Sequence, residues 1–99
     1  MLGKISHQFE ATLWKNNIKG AWYFVSLPKD VSLEIRTHNG WQEEGWGRLK
    51  ATAGVGNSSW ETAIWFDTKL AVYLLPIKLS IRKKENLTTN KKATFSILI

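Results

Sequence analysis

Residues 9–14 read FEATLW, and residues 60–65 read WETAIW. Each runs aromatic, glutamate, two small residues, branched aliphatic, tryptophan. Side chains of a strand alternate between its faces. The pattern therefore sets Phe9, Ala11 and Leu13 on one face, and Trp60, Thr62 and Ile64 on its equivalent. Two further units recur behind the first. The chain's two prolines, Pro28 and Pro76, both follow a leucine and end apolar runs, AWYFVSLP and LAVYLLP. An alternating segment comes third. Leu49, Ala51, Ala53 and Val55 interleave with Arg48, Lys50 and Thr52, as Ala93, Phe95, Ile97 and Ile99 do with Lys92, Thr94 and Ser96.

The three units keep their order at offsets of 51, 48 and 44 residues. Coincidence is a poor account of three ordered matches. The sequence reads as two strand–strand–helix–strand copies, about 7–57 and 58–99, inside one domain spanning 1–99. The expected class is mainly β with two short helices, six strands rolled into a small barrel.

Local chemistry supports each element. Lys15-Asn16-Asn17-Ile18-Lys19-Gly20 and Asp67-Thr68-Lys69 are turn-rich, so each copy opens with a hairpin. Trp22–Leu27 and Val72–Leu75 are apolar on both faces, the pattern of strands covered on two sides. Proline cannot donate to a ladder but suits a first helical turn, so both prolines mark a switch from strand to helix. Val31, Ile35 and His38 share a face of the first helix, and Gly40 supplies its stop. Ile77 and Ile81 define the inner face of the second. Gly54 and Gly56 close the third strand with a bend.

Ninety-nine residues suffice for one core and not for two. Six tryptophans in that length point to a core built around large rings, with Trp22 and Trp60 inside it and Trp14 and Trp65 half exposed or covered by a helix. With no cysteine there is neither a disulfide scaffold nor a thiolate metal site. No stretch approaches a membrane span, and MLGKISHQFE lacks a signal-peptide core, so the expected setting is cytoplasmic. Asn57-Ser58-Ser59 and Asn86-Leu87-Thr88 then match the glycosylation triplet by chance.

In order, FEATLW, KGAWYFVSLPKDVSLEIR, GWGRLKATAGVG, SSWETAIW and YLLPIKLSIRKK resemble the prokaryotic DUF1905 family, a domain of unknown function, over residues 7–99. The resemblance implies a double-split β-barrel, the architecture of AbrB- and MazE-like proteins, and no established activity. Those proteins build the barrel from two identical short chains. Both halves are present here, so the resemblance implies a monomer that closes its own sheet. Relatives carry Gly-Asp ahead of the last strand, where Asn90-Lys91 stands in this chain.

Catalytic signals are weak. His7 and His38 are the only histidines, no Gly-x-Ser-x-Gly elbow exists, and no ligand cluster suggests a metal or a cofactor. Glu10 and Glu61 hold equivalent positions, yet read as solvated residues of the outer strand faces. Gly54-Val55-Gly56-Asn57 lacks the third glycine and the helix of a dinucleotide loop. Two binding signals remain. The formal charge is +6, and residues 78–92 concentrate it: Lys78, Arg82, Lys83, Lys84, Lys91 and Lys92 against Glu85 alone. Such a run is a solvated face or a contact for phosphates in nucleic acid or another polyanion. The second signal is Trp41, Trp46 and Arg48, large rings and a cation in a loop, which would suit a ligand cleft. The leading expectation is a non-enzymatic binding module for a polyanion. A ligand-binding or enzymatic domain and a protein-interaction domain are the alternatives.

Overall fold

The computed structural model describes residues 4–16 and 22–99, with the backbone alone at Trp46. The first hairpin turn expected from the sequence falls on residues 17–20, outside the described ones. Seven strands and two helices follow in the order β1 Ser6–Thr12, β2 Trp14–Asn16, β3 Trp22–Ser26, α1 Lys29–Asn39, β4 Arg48–Val55, β5 Ser58–Asp67, β6 Val72–Pro76, α2 Leu79–Lys84 and β7 Lys92–Leu98. The class is mainly β, as the alternation demands.

All pairings are antiparallel, in the order β1-β7-β4-β5-β6-β3-β2. The two ends of this strip, β1 and β2, are consecutive in the chain and separated only by Leu13. The sheet therefore curls into a small barrel form. FEATLW is not one strand. Its first residues pair with β7 and its last with β3, and the chain breaks at Leu13 to serve both. Leu13 is itself buried, and its backbone bonds the opposite loop, donating to the Lys91 carbonyl at 3.4 Å and accepting from the Asn90 N–H at 3.0 Å. WETAIW runs unbroken inside β5, which pairs with β4 from Ser58 to Trp65 and with β6 from Trp65 to Asp67.

The barrel interior is filled from the inner rows: Phe9 and Leu13, Val25 and Leu27, Leu49 to Val55, Trp60 and Ile64, Tyr73 and Leu75, Phe95 and Ile97. Ile35 of α1 and Ile77 and Ile81 around α2 join the same core. Full burial of such side chains contributes about 1.5–3 kcal/mol each before conformational entropy is set against it. The inner face of α1 is Ser32 and Ile35 with Val31 partly buried beside them, and of the face read from spacing only His38 is exposed. Ser32 Oγ accepts from the Tyr73 N–H at 3.0 Å, so the helix rests on β6 through a polar contact that no hydrophobic pattern reveals.

The prolines differ. Pro28 caps α1 directly, whereas Pro76 ends β6 opposite Phe24, with Ile77 and Lys78 intervening before α2. Gly40 follows the last residue of α1 as its C-cap, but without the left-handed turn usual for glycine there. It holds a right-handed conformation and leads into a 3₁₀ turn, Gly40–Gln42, that carries Trp41. A second such turn spans Gly45–Gly47. Beyond the Glu85 cap of α2, Asn86 turns at φ 54°, with the Leu87 N–H bonded to the Arg82 carbonyl and the Asn86 N–H to that of Lys83. That is a left-handed helix stop built on asparagine in place of glycine. Asn90 also turns at positive φ, 69°, which asparagine tolerates better than most residues. No helix among the described residues is long and apolar enough to cross a membrane.

Candidate ligand groove

The outer rows of β4 and β5 lie side by side. Arg48 faces Trp65, Lys50 faces Ala63, and Thr52 faces Glu61. Ala63 is the small member of its row and leaves a floor between the taller Trp65 and Glu61. Around this floor stands a trough of about 1060 Å³. One wall is Trp22 at the start of β3 with Pro76 at the end of β6. Another is the end of α1 and its 3₁₀ turn, His38 to Gln42. The third comes from the chain ends, Lys4, Ile5, Leu98 and Ile99.

The trough continues. A smaller cleft of about 270 Å³, lined by Tyr23, Trp60, Lys78 and Arg82 among others, shares Trp22, Glu61, Thr62 and Pro76 with it. The two binding signals of the sequence thus meet in one surface. Trp41 and Arg48 stand in the larger part, Lys78 and Arg82 in the smaller.

Its aromatic members are held in place. The Trp41 indole N–H donates to the His38 carbonyl at 3.1 Å, which fixes a ring that remains 79% exposed. Trp22 stacks on Phe24 with centroids 6.2 Å apart, and Phe24 packs against Trp14 at 5.2 Å. Trp14 in turn donates its indole N–H to Ser26 Oγ at 3.0 Å. Trp22 is 57% exposed, which corrects its assignment to the core. The apolar run around it fills both faces of β3, but the outer face carries an aromatic row and no covering helix. Trp60 is buried as expected, and Trp65, 37% exposed, stands on the outer row.

The cations are held as well. Arg48 pairs with Glu44, through both side chains and a two-way backbone bridge, and its guanidinium lies 5.8 Å from the Trp65 ring centroid. Arg82 donates Nε–H to the Ile77 carbonyl at 3.1 Å and lies over Tyr23, 3.7 Å from the ring centre. Lys15 approaches the same ring at 5.8 Å. Lys50 and Lys78 are exposed.

The remaining basic candidates are elsewhere. Lys83 and Lys84 are exposed on α2 and line neither part of the trough. Lys91 and Lys92 sit at the start of β7 beside Thr12 and Leu13, also off its walls. Trp46 stands in the second 3₁₀ turn, and its side chain lies outside the described residues. Glu10 and Glu61 are both exposed and face Thr94 and Thr52 on different strand pairs, as solvated outer-row residues do. No group of three or more potential metal-binding side chains occurs among the described residues.

A polar brace sets the position of the Trp41 turn. The Tyr73 hydroxyl donates a short hydrogen bond to the Glu43 carboxylate, and Arg36 lies 3.7 Å from the same carboxylate. The Arg36 guanidinium covers Phe66 at 3.7 Å, and Phe66 meets Tyr73 edge-on at 5.1 Å. Burial, and then the Glu43 carboxylate, push the Tyr73 phenol well above its ordinary range. Sequence reasoning missed Trp22, Lys50, Trp65 and this brace. The alternation around Arg48 placed Lys50 on the outer row, but nothing in it named the strand that would lie beside it.

A family model described as Domain of unknown function (DUF1905) matches residues 9–97. No curated protein matches the chain.

Proposed function

The chain belongs to the DUF1905 family, whose description assigns no activity, and from the trough we propose a binding module for nucleic acid or another polyanion. One observation supports this reading above the rest. The trough joins Lys78 and Arg82 of the basic segment to Arg48, Lys50 and Lys4, with Glu61 as the one acidic side chain among the described residues that line it. Glu44 neutralises Arg48 in part, and the surface keeps a cationic excess. Cations at that density release counterions when phosphates replace them, which drives association with little reading of sequence.

In this proposal the protein is non-enzymatic, takes no cofactor, and acts as a cytoplasmic monomer away from membranes. The strand pairings favour a duplicated origin. β5 lies between β4 and β6 as β1–β2 lies between β7 and β3, and β3 pairs with β6. A second reading keeps the same trough for a small anionic ligand, since Trp41 and Arg48 both stand on it.

Salt separates the two. About four phosphate contacts give a slope of log affinity against log salt near −3 to −4, whereas a small ligand of one charge has no condensed counterions to release and gives a much shallower dependence. The test is fluorescence anisotropy with labelled DNA, RNA and heparin at several salt concentrations, on the wild type and an Arg48→Ala/Lys50→Ala/Arg82→Ala variant. Binding that is salt-steep and lost in the triple variant supports the proposal. Absence of binding at low salt ends it.

A further inference from the structure

We infer that the ligand of the trough is single-stranded nucleic acid, with bases stacked on Trp41, Trp22 and Trp65 and phosphates on the cations between them. This rests on the polyanion reading and narrows it. Eight large hydrophobic side chains are exposed among the described residues, and five of them line this one trough: Ile5, Trp22, Trp41, Trp65 and Leu98. A soluble protein rarely gathers its exposed apolar groups without a partner to cover them. Polyanions in general do not supply that cover. Sulfated sugars and polyphosphate present charge without a flat apolar face, and a duplex hides its base faces inside its own stack.

A single strand presents both. Its bases have exposed π-faces that any indole accepts, and its phosphates fall between them. The protein interleaves the same two chemistries. Arg48 stands opposite Trp65 across the ladder, Lys50 is the next outer residue of β4, and Trp22 is shared with the cleft that holds Arg82 and Lys78. The rings are also oriented before binding. Trp41 is tied to His38, and Trp22 rests on Phe24, so little side-chain freedom remains to be lost. Stacking tolerates every base, so affinity should vary little with sequence.

The test compares a labelled oligothymidylate, the same strand annealed to its complement, polyphosphate and a neutral oligosaccharide. Each is titrated against wild type, Trp41→Ala, Trp41→Phe and Arg48→Ala/Lys50→Ala at low salt, with indole emission followed alongside. Trp41 is mostly exposed, so its replacement leaves the fold intact. The expected result is preference for the single strand over the duplex and polyphosphate, with indole quenching. Trp41→Ala should weaken the single strand about five- to a hundred-fold, and Trp41→Phe should restore most of that. Equal binding of strand, duplex and polyphosphate, unaffected by Trp41→Ala but weakened by the charge variant, overturns stacking and leaves the polyanion reading standing. No binding of any anion removes both. Quenching by the neutral oligosaccharide without salt dependence assigns the trough to a sugar and overturns the inference.

Discussion

Two connections leave the two helices, residues 40–47 after α1 and residues 85–91 after α2, and both are tied to the barrel by a glutamate. Glu43 accepts from the Tyr73 hydroxyl, and Glu85 accepts from Ser58 Oγ at 2.6 Å. Each carboxylate also lies near a glycine of positive φ, Gly47 at 72° and Gly56 at 57°. The surroundings differ. Glu43 meets Arg36 and a fully buried tyrosine, whereas Glu85 meets Ser58 over a hairpin turn. The first connection presents Trp41 and leads into Arg48, both on the trough. The other carries one lysine, Lys91, exposed to water and off the trough. On the stacking proposal, the contacts of Glu43 hold the turn that carries Trp41 before that ring meets a base.

The two glycines offer the sharpest way to break that comparison. A Cβ on Gly47 would come within 2.9 Å of the Phe66 Cβ, a neighbour fixed by its own backbone. Gly47→Ala adds left-handed strain to overpacking and should cost about 2–5 kcal/mol. A Cβ on Gly56 would meet the Glu85 carboxylate at 2.0 Å, yet that group ends a flexible side chain and can swing away. Gly56→Ala should cost about 1–3 kcal/mol, mostly backbone strain and a lost hydrogen bond. Gly45, with nothing within 4 Å of its Cβ, is the control, and alanine there should change stability by less than about 0.5 kcal/mol. Urea unfolding ranks the three. Equal costs at Gly47 and Gly56 would mean that the two connections are equally stiff.

Hydroxyl deletion gives a smaller effect with a pH signature. Tyr73→Phe leaves Glu43, only 14% exposed, without its donor, and should cost about 1–3 kcal/mol. Ser58→Ala should cost about 0.5–1.5 kcal/mol, since Glu85 can turn to water. The folded protein holds the Tyr73 proton more tightly than the unfolded chain, whose phenol titrates near its ordinary value of 10.0. The contribution is complete below that pH. Above it the unfolded state ionises first, so stability falls as pH rises. Subtracting the Tyr73→Phe curve from the wild type should isolate this alkaline decline, and Ser58→Ala should retain it. A decline surviving in Tyr73→Phe assigns it to other groups.

The barrel was legible because each inner row is a period-two signal and the hairpins and prolines punctuate it. Leu13 was not. A break that lets one stretch pair with β7 and then with β3 depends on where those strands lie, and FEATLW has the same pattern as the unbroken WETAIW. Trp22 was placed inside because AWYFVSLP is apolar on both faces, and no local pattern says which face a helix will cover. The trough was half legible. Trp41 and Arg48 stood out as a large ring and a cation in a loop, but Trp22, Lys50 and Trp65 reach them only through strand order. The Glu43–Tyr73 contact joins residues 30 apart in sequence, with no signal in either segment alone.

The smallest effects should come from the exposed lysines of the second connection's side, and they divide the basic segment. Lys83→Ala/Lys84→Ala should alter stability by less than about 0.5 kcal/mol, since neither side chain is buried. Lys78→Ala/Arg82→Ala should cost more, because Arg82 loses the Ile77 carbonyl and its face on Tyr23. The division should reappear in binding. If the strand follows the trough, removing Lys78 and Arg82 takes away two phosphate contacts and flattens the single-strand salt slope by about 1.4. Removing Lys83 and Lys84 leaves that slope nearly unchanged, apart from a weak long-range term that salt screens. Charge alone predicts no ranking, since each pair removes two positive charges from α2 and the residue before it. Equal slopes in the two variants would therefore show that the anion reads the net charge of α2 and not the trough beside it.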